Sequence, residues 1–351
     1  MEIFNRNKKI EEINQMSPLT WAYVGDCVYE LYIRTKLVDT TRLKPHELHI
    51  KSIKYVKAKA QAETLKDIEI ILINDGSTDK SEKIIKEYND KRIKYISKKN
   101  EGIGKTRNKG IKESSGEFIA FVDSDDYLNE HFCEYMYKKA HADKCDLVIC
   151  NFFEDRGNLY GIKFKDFEDT SLKDNPSLIN NINLGPCNKL YSLELLKNNN
   201  IYFEESLKYE DAPFVVKAIK SANKIGKVND FLTYYVIHEN SETTTRDGRI
   251  FDIFKICEII IKELDNDKYK KSLTNLITMI LLDYCAQQRY IKEHSQRKKF
   301  INEAFKMLNI LDKNWRKCDY VFKLNKISRI IKTNKFLMLL YCDIFAQKYT
   351  K

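Results

Sequence analysis

Long apolar runs are missing from this 351-residue chain. A helix that spans a bilayer needs roughly 18 or more apolar residues, and the longest candidate, Phe336 to Phe345, is far shorter and holds Asp343. The opening segment, Met1 to Lys9, is polar and has no apolar h-region, which excludes a secretion signal there and leaves the cytoplasm as the expected compartment. Paired cysteines are missing too. Cys27, Cys133, Cys145, Cys150, Cys187, Cys257, Cys285, Cys318 and Cys342 are scattered with no C-x-x-C pair. An odd, irregular set reads as reduced buried thiols, and a zinc site would need tighter clustering of Cys and His. There is no internal repeat and no low-complexity tract, and from about Asp252 onward Gly and Pro nearly vanish.

What is present describes a soluble globular protein: 43% hydrophobic and 32% charged residues, in a chain long enough for two or three domains. The net charge of +10 is lopsided. Residues 250–351 carry 21 Lys and Arg against 11 Asp and Glu, while the rest of the chain is balanced. Such a field favours an acidic partner, whether anionic lipid, nucleic acid or a phosphorylated substrate; a solvated helical surface accounts for it equally well.

Three textures follow one another. From Ile10 to about Ala62 apolar residues recur at helical spacing (Leu19, Tyr23, Val24, Cys27, Val28, Leu31), and a basic amphipathic helix is expected from His46 to Ala62. From Asp67 strands and helices alternate. Ile68 to Ile73 and Phe118 to Val122 are near-continuous apolar runs of the kind a buried parallel strand requires. Helices are expected over Lys80 to Tyr88, Thr106 to Glu113 and Asn129 to Ala140, with further strands at Arg92 to Ile96 and Asp146 to Cys150. This is an α/β pattern, in which ligands bind beyond the carboxyl ends of the strands. The last hundred residues read as a helical bundle or arm, with Leu276, Ile277, Ile280, Leu281 and Tyr284 on one helical face.

The most informative feature is Asp123-Ser124-Asp125-Asp126, which closes an apolar strand. Carboxylates packed this closely repel one another unless a cation sits among them, and hard oxygen donors suit Mg²⁺ or Mn²⁺. The competing reading makes Asp125 or Asp126 the cap of the helix near Asn129. Gly102-Ile-Gly-Lys105-Thr106 imitates the end of a phosphate-binding loop, but Lys99 stands where that pattern needs its first glycine, so an ATPase is rejected.

Six segments in order resemble family 2 glycosyltransferases: Asp67 to Asp79, Arg107 to Ile111, Gly116 to Tyr127, Asn188-Lys189-Leu190, Tyr209-Glu210-Asp211, and Tyr234-Tyr235 leading to His238. The resemblance implies a GT-A fold, a mostly parallel sheet flanked by helices, over residues 64–249. It implies transfer of a sugar from a nucleotide-sugar donor, of the UDP-sugar kind, to a glycan or lipid-linked acceptor hydroxyl, with inversion, in cell-surface polysaccharide synthesis. Asp75 would contact the nucleoside, and Arg107 would lie near the diphosphate or the base. Asp123 and Asp125 match the D-x-D element that holds the metal, and Asp211 matches the catalytic base. His238 would hold the diphosphate, or else is a surface loop histidine. The basic region 250–351 would suit the inner membrane face.

Residues 1–63 resemble something else. Ser17 to Glu30 and Lys44 to His49, through Lys59-Ala60-Gln61-Ala62, look like the start of Mini-ribonuclease III, a short all-α fragment in which Asp26 matches a metal-binding carboxylate. The remaining carboxylates of that family do not follow, so a nuclease is the alternative reading and RNA is not an expected partner. A non-catalytic nucleotide-binding relic is a further alternative. Family 2 relatives also open with an apolar strand that has no counterpart before Thr64. In their sheet it lies between the strands ending here at Asn74 and Val122, and its loss would leave backbone groups unpaired at about 1–3 kcal/mol each if buried. The expectation is a chimera of two truncated pieces joined near Ala62–Thr64.

Overall fold

The computed structural model describes residues 68–238 and 248–346. The chain divides into two units, 1–70 and 71–351, and the second is described here. The fragment that resembles Mini-ribonuclease III, Asp26, the helix expected over His46 to Ala62 and the proposed junction all lie outside the described residues.

The α/β order expected from the sequence is present. Strand β1 (Ile70–Asp75) and helix α1 (Ser81–Glu87) lead to β2 (Ile93–Lys98), then α2 (Ile103–Glu113) and the short β3 (Phe118–Ala120). β4 (Tyr127–Leu128), α3 (Phe132–Asp143), β5 (Leu147–Asp155) and β6 (Leu159–Ile162) follow, then β7 (Lys189–Ser192), α4 (Leu193–Asn198), α5 (Asp211–Ser221) and the long β8 (Ile225–Val236). The helical remainder comprises α6 (Asp252–Glu263), α7 (Lys270–Gln287), α8 (His294–Leu311), α9 (Asp319–Lys323), α10 (Lys326–Thr333) and α11 (Lys335–Ala346). Among the described residues, no helix is long and apolar enough to cross a membrane.

The main sheet has the order β3-β7-β5-β8-β4, with β6 beside β5. It is mixed rather than mostly parallel. β5 runs parallel to β8, while β7 is antiparallel to both β3 and β5, and β4 and β6 are antiparallel to their neighbours. An apolar run has the same composition in either direction, and strand direction is set by how the chain returns. β5 shows why the sheet is stable. Leu147 and Ile149 enter one apolar cluster, and Val148 and Cys150 enter another, as the period of two demands. Helix α3 covers one face with Phe132, Met136 and Ala140, while Phe214, Val215, Ala218 and Ile219 of α5 cover the other.

That second cluster runs without a break from Ile111 to Cys342, so the C-terminal helices share the core of the sheet. Helix α7 is buried on nearly every side rather than along one stripe, because it lies between α6, α8 and the 3-10 turn at Pro176–Asn181. β1 departs from expectation in the opposite sense. Only Asn74 of its six residues is buried. Among the described residues it pairs with β2 alone, and no ladder joins that two-stranded sheet to β3. Val122, expected inside a buried strand, lies past the end of β3 and is 47% exposed.

Candidate active site

Helix α2 carries the organising residue. Its start is tight: Gly104 sits so close to the carbonyl of Glu204 that a Cβ would come within 2.3 Å of that oxygen. One turn on, the Asn108 amide clamps the Phe203 backbone in both directions, donating to its carbonyl at 2.9 Å and accepting from its N–H at 2.8 Å. These contacts place the Phe203 ring under Arg107, whose guanidinium carbon lies 5.1 Å from the ring centre. Phe203 in turn stacks on Phe214 of α5, with Phe121 at its edge. Arg107 is 8% exposed, and this aromatic floor leaves its guanidinium one direction to face.

In that direction it meets three carboxylates. Nη1 donates to Glu210 Oε1 at 2.8 Å and to Asp211 Oδ1 in a short contact, and Nη2 donates to Asp123 Oδ1 at 2.7 Å. Tyr209 turns the chain into this arrangement with a left-handed backbone (φ 70°), an outlier for a bulky residue and a kind of strain that gathers at functional sites. Burial pushes the pKa of Glu210 and Asp211 up, because Arg107 offsets only part of the desolvation; the charge of Asp211 adds to the rise at Glu210, and that of Asp123 to the rise at Asp211. Asp211 opens the first turn of α5 and keeps 34% of its side chain open, so a solvent-borne group can reach it.

The acid loop after β3 is held from a different strand. Asp126 accepts from the Val236 N–H at the end of β8 (2.9 Å), and Asp125 Oδ2 meets His238 Nε2 at 2.9 Å. Neither carboxylate caps α3, because both are engaged at the end of β8; at the helix start, Asn129 accepts from the His131 N–H instead. Burial, with the charges of Asp123 and Asp125 adding to it, raises the pKa of Asp126 to about 6. Oxygens of Asp123 and Asp126 and the sulfur of Cys187 lie within 4.8 Å of one another. Burial and the neighbouring carboxylates push the Cys187 thiol pKa up, and the hard donors at this point are the oxygens of Asp123 and Asp126.

The cluster therefore gathers Asp123, Asp125, Asp126, Glu210 and Asp211 around one arginine and one histidine. A divalent cation fits this excess of negative charge and this hard donor set. The structure brings the expected residues Arg107, Asp123 and Asp211 into direct contact and links Asp125 to His238. Asp75 is occupied elsewhere. Its carboxylate accepts from the N–H groups of Glu101 and Gly102, both at 2.9 Å, and pairs with Lys98. Burial opposes its charge, but these bonds outweigh it and lower the pKa. Asp75 thus ties the end of β1 to the loop that opens α2.

Two residues to which the sequence gave no role help build the site. Glu210 is the most buried of the three acids on Arg107. Lys189 is fully buried in β7 and donates to Asn183 O (2.8 Å), Gly185 O (2.6 Å) and Asn188 Oδ1 (2.7 Å). It pins the loop that carries Cys187 beside the acids. Burial lowers its pKa to about 7. The signal available in the sequence was a lysine entering an apolar strand directly after Asn188.

Comparison with known proteins decides the family. The pattern of glycosyl transferase family 2 matches residues 51–199, beginning ahead of Thr64. The chain is 33% identical over 233 residues to the putative glycosyltransferase EpsH of Bacillus subtilis, covering 62% of this chain and 67% of that one. The chain belongs to glycosyltransferase family 2. The transferase is also 32% identical over 183 residues to the poly(ribitol-phosphate) beta-N-acetylglucosaminyltransferase TarS of Staphylococcus aureus. That match covers 50% of this chain but only 31% of TarS. A crystal structure of TarS residues 1–349 in complex with UDP-GlcNAc superposes with a TM-score of 0.64 at 21% identity, covering 83% of this chain and 87% of that one. The fold is that of a GT-A glycosyltransferase, a mixed sheet flanked by helices with a helical C-terminal region.

Proposed function

We propose that this protein is an inverting, metal-dependent transferase that moves a sugar from a UDP-sugar to a hydroxyl of a cell-surface glycan or a lipid-linked acceptor. The observation that carries this reading is the Arg107 bridge. It fixes Asp211, at the head of α5, against Asp123, in the loop after β3, so a base and an acidic phosphate-side loop face one another. Asp211 takes the acceptor proton as the acceptor oxygen attacks the anomeric carbon, and the nucleoside diphosphate leaves from the opposite side. A positioned general base contributes about 10²–10⁴-fold. Asp125 and Asp123 would hold Mg²⁺ or Mn²⁺, which when bound offsets the charge of the departing diphosphate. His238 orients Asp125 and stands on the diphosphate side, and Asp75 shapes the nucleoside end of the pocket. A relative named for glycosylating poly(ribitol-phosphate) and a fold neighbour with UDP-GlcNAc support the polysaccharide and UDP assignments. The working place is the inner membrane face, reached through the basic tail.

Isothermal titration with UDP, with and without Mn²⁺, tests the reading. Binding that needs the metal and disappears in Asp125→Ala is expected. UDP binding that is indifferent to both would refute the metal role, and no binding by a folded, monodisperse sample would refute the donor assignment.

A further inference from the structure

Helix α11 is apolar on nearly every side, yet only part of it is covered. Met338, Cys342 and Ala346 recur every four residues and are buried. Phe336, Leu340 and Ile344 recur at the same spacing on the opposite side and are open, with Phe336 71% exposed. Helix α10, which packs against α11, has no buried residue and exposes Ile327 to 72% and Ile330 one turn later. A helix that is apolar all round belongs in an interior, and a contiguous apolar face rimmed by charge marks an interaction surface.

The rim has one sign. Between Phe322 and Ala346 the basic residues are Lys323, Lys326, Arg329, Lys332 and Lys335, and the only acid is Asp343, which is engaged by Arg297 and His294. Arg329 and Lys332 are tied to the protein's own oxygens, while Lys323, Lys326 and Lys335 are exposed. Beside the stripe lies an open groove of about 490 Å³, lined among others by Asn302, Lys306, Arg316 and Lys335, with Asn309 Oδ1 accepting from Arg316 at 3.2 Å. Arg316 lies over the Trp315 ring at 4.3 Å, and burial lowers its pKa. Lys335 belongs to the groove, and the next residue, Phe336, begins the open stripe.

We propose that the α10–α11 face docks on an anionic lipid bilayer, with exposed isoleucines and phenylalanine entering the interface and the basic groove receiving a phosphate-bearing headgroup. Amphipathic helices with basic rims bind this way, lying in the plane of the membrane. Charge decides against a second copy as the occupant. A two-fold contact places a patch on its own copy, so these cations would face the same cations with only Asp343, already engaged by Arg297 and His294, to answer them. The proposal deepens the membrane-face reading above but does not depend on the donor or the base, so lipid binding and UDP binding can fail separately.

Flotation of the full chain with phosphatidylcholine vesicles, with and without phosphatidylglycerol, is the test. Association is expected only with phosphatidylglycerol present, weakening as salt is raised. Lys306→Gln with Lys335→Gln should weaken it roughly fivefold per lysine, and Ile327→Ser with Phe336→Ser should abolish it. Thermal unfolding and UDP titration of each variant should match the parent, since these residues lie on the surface. Equal partition into both vesicle types, or variants that float like the parent, would overturn the proposal. So would a lipid-free dimer that Phe336→Ser dissolves, because it would give the face to a second copy.

Discussion

Replacing Arg107 by Met removes the cation that three acids share, and the loss can be worked from the geometry. Breaking a buried ion pair costs about 3–5 kcal/mol, because the partner charge is stranded. Asp123 and Asp211 are 32% and 34% exposed, so water screens much of their share, and the Glu210 pair at 7% and 8% exposure carries most of the loss. The lower end applies, about 3 kcal/mol, or roughly 4 °C in the melting temperature of a chain this large. The loss should depend on pH. Burial raises Glu210 and Asp211 above their unfolded values, so the folded chain holds more protons, and stability is complete below pH ~4 and declines as pH rises through the folded pKa. Without Arg107 both groups rise further, so the variant should go on declining to higher pH, and the gap to the parent should be widest at alkaline pH. Thermal unfolding of both proteins at mildly acidic and alkaline pH measures this. A gap that stays constant with pH, or one under about 1 kcal/mol, would refute the view that Arg107 acts by compensating buried acids.

Other perturbations probe the frame around the site. Lys189→Met strands three oxygens that now accept from one ammonium, which predicts a loss of about 3 kcal/mol or more. The loop at Asn183–Pro186 should open to limited proteolysis before global unfolding, and an unchanged cleavage pattern would count against the pinning role. Gly104→Ala forces a Cβ against a backbone oxygen, so a loss of about 1–3 kcal/mol in denaturant unfolding is expected. A neutral result would mean that α2 and the loop at Glu204 part easily.

The nature and order of the main elements were legible in the sequence, because apolar runs and helical spacing are local properties. β5 illustrates this: Leu147 to Cys150 form an unbroken apolar run and are buried on both faces. The acid loop was legible for the same reason, since four adjacent residues carry it. The capping alternative for Asp125 and Asp126 was open in the sequence and is closed by Val236 and His238, which lie more than a hundred residues away. Strand direction was not legible, which is why a mostly parallel sheet was expected and a mixed one found. The burial of β1 was not legible either, because an apolar strand does not state what covers it.

Apolar runs and helical spacing along the chain were enough to indicate an α/β domain with an acid loop at a strand end, and the transferase reading came from the resemblance of six ordered motifs to family 2 glycosyltransferases. Only the tertiary structure decided that Arg107 belongs to the acids, that Glu210 is the most buried of them, and that Lys189 pins the loop bearing Cys187. Each of those facts is a contact between side chains brought together by folding, and the desolvation that gives it its energy exists only once the core has closed.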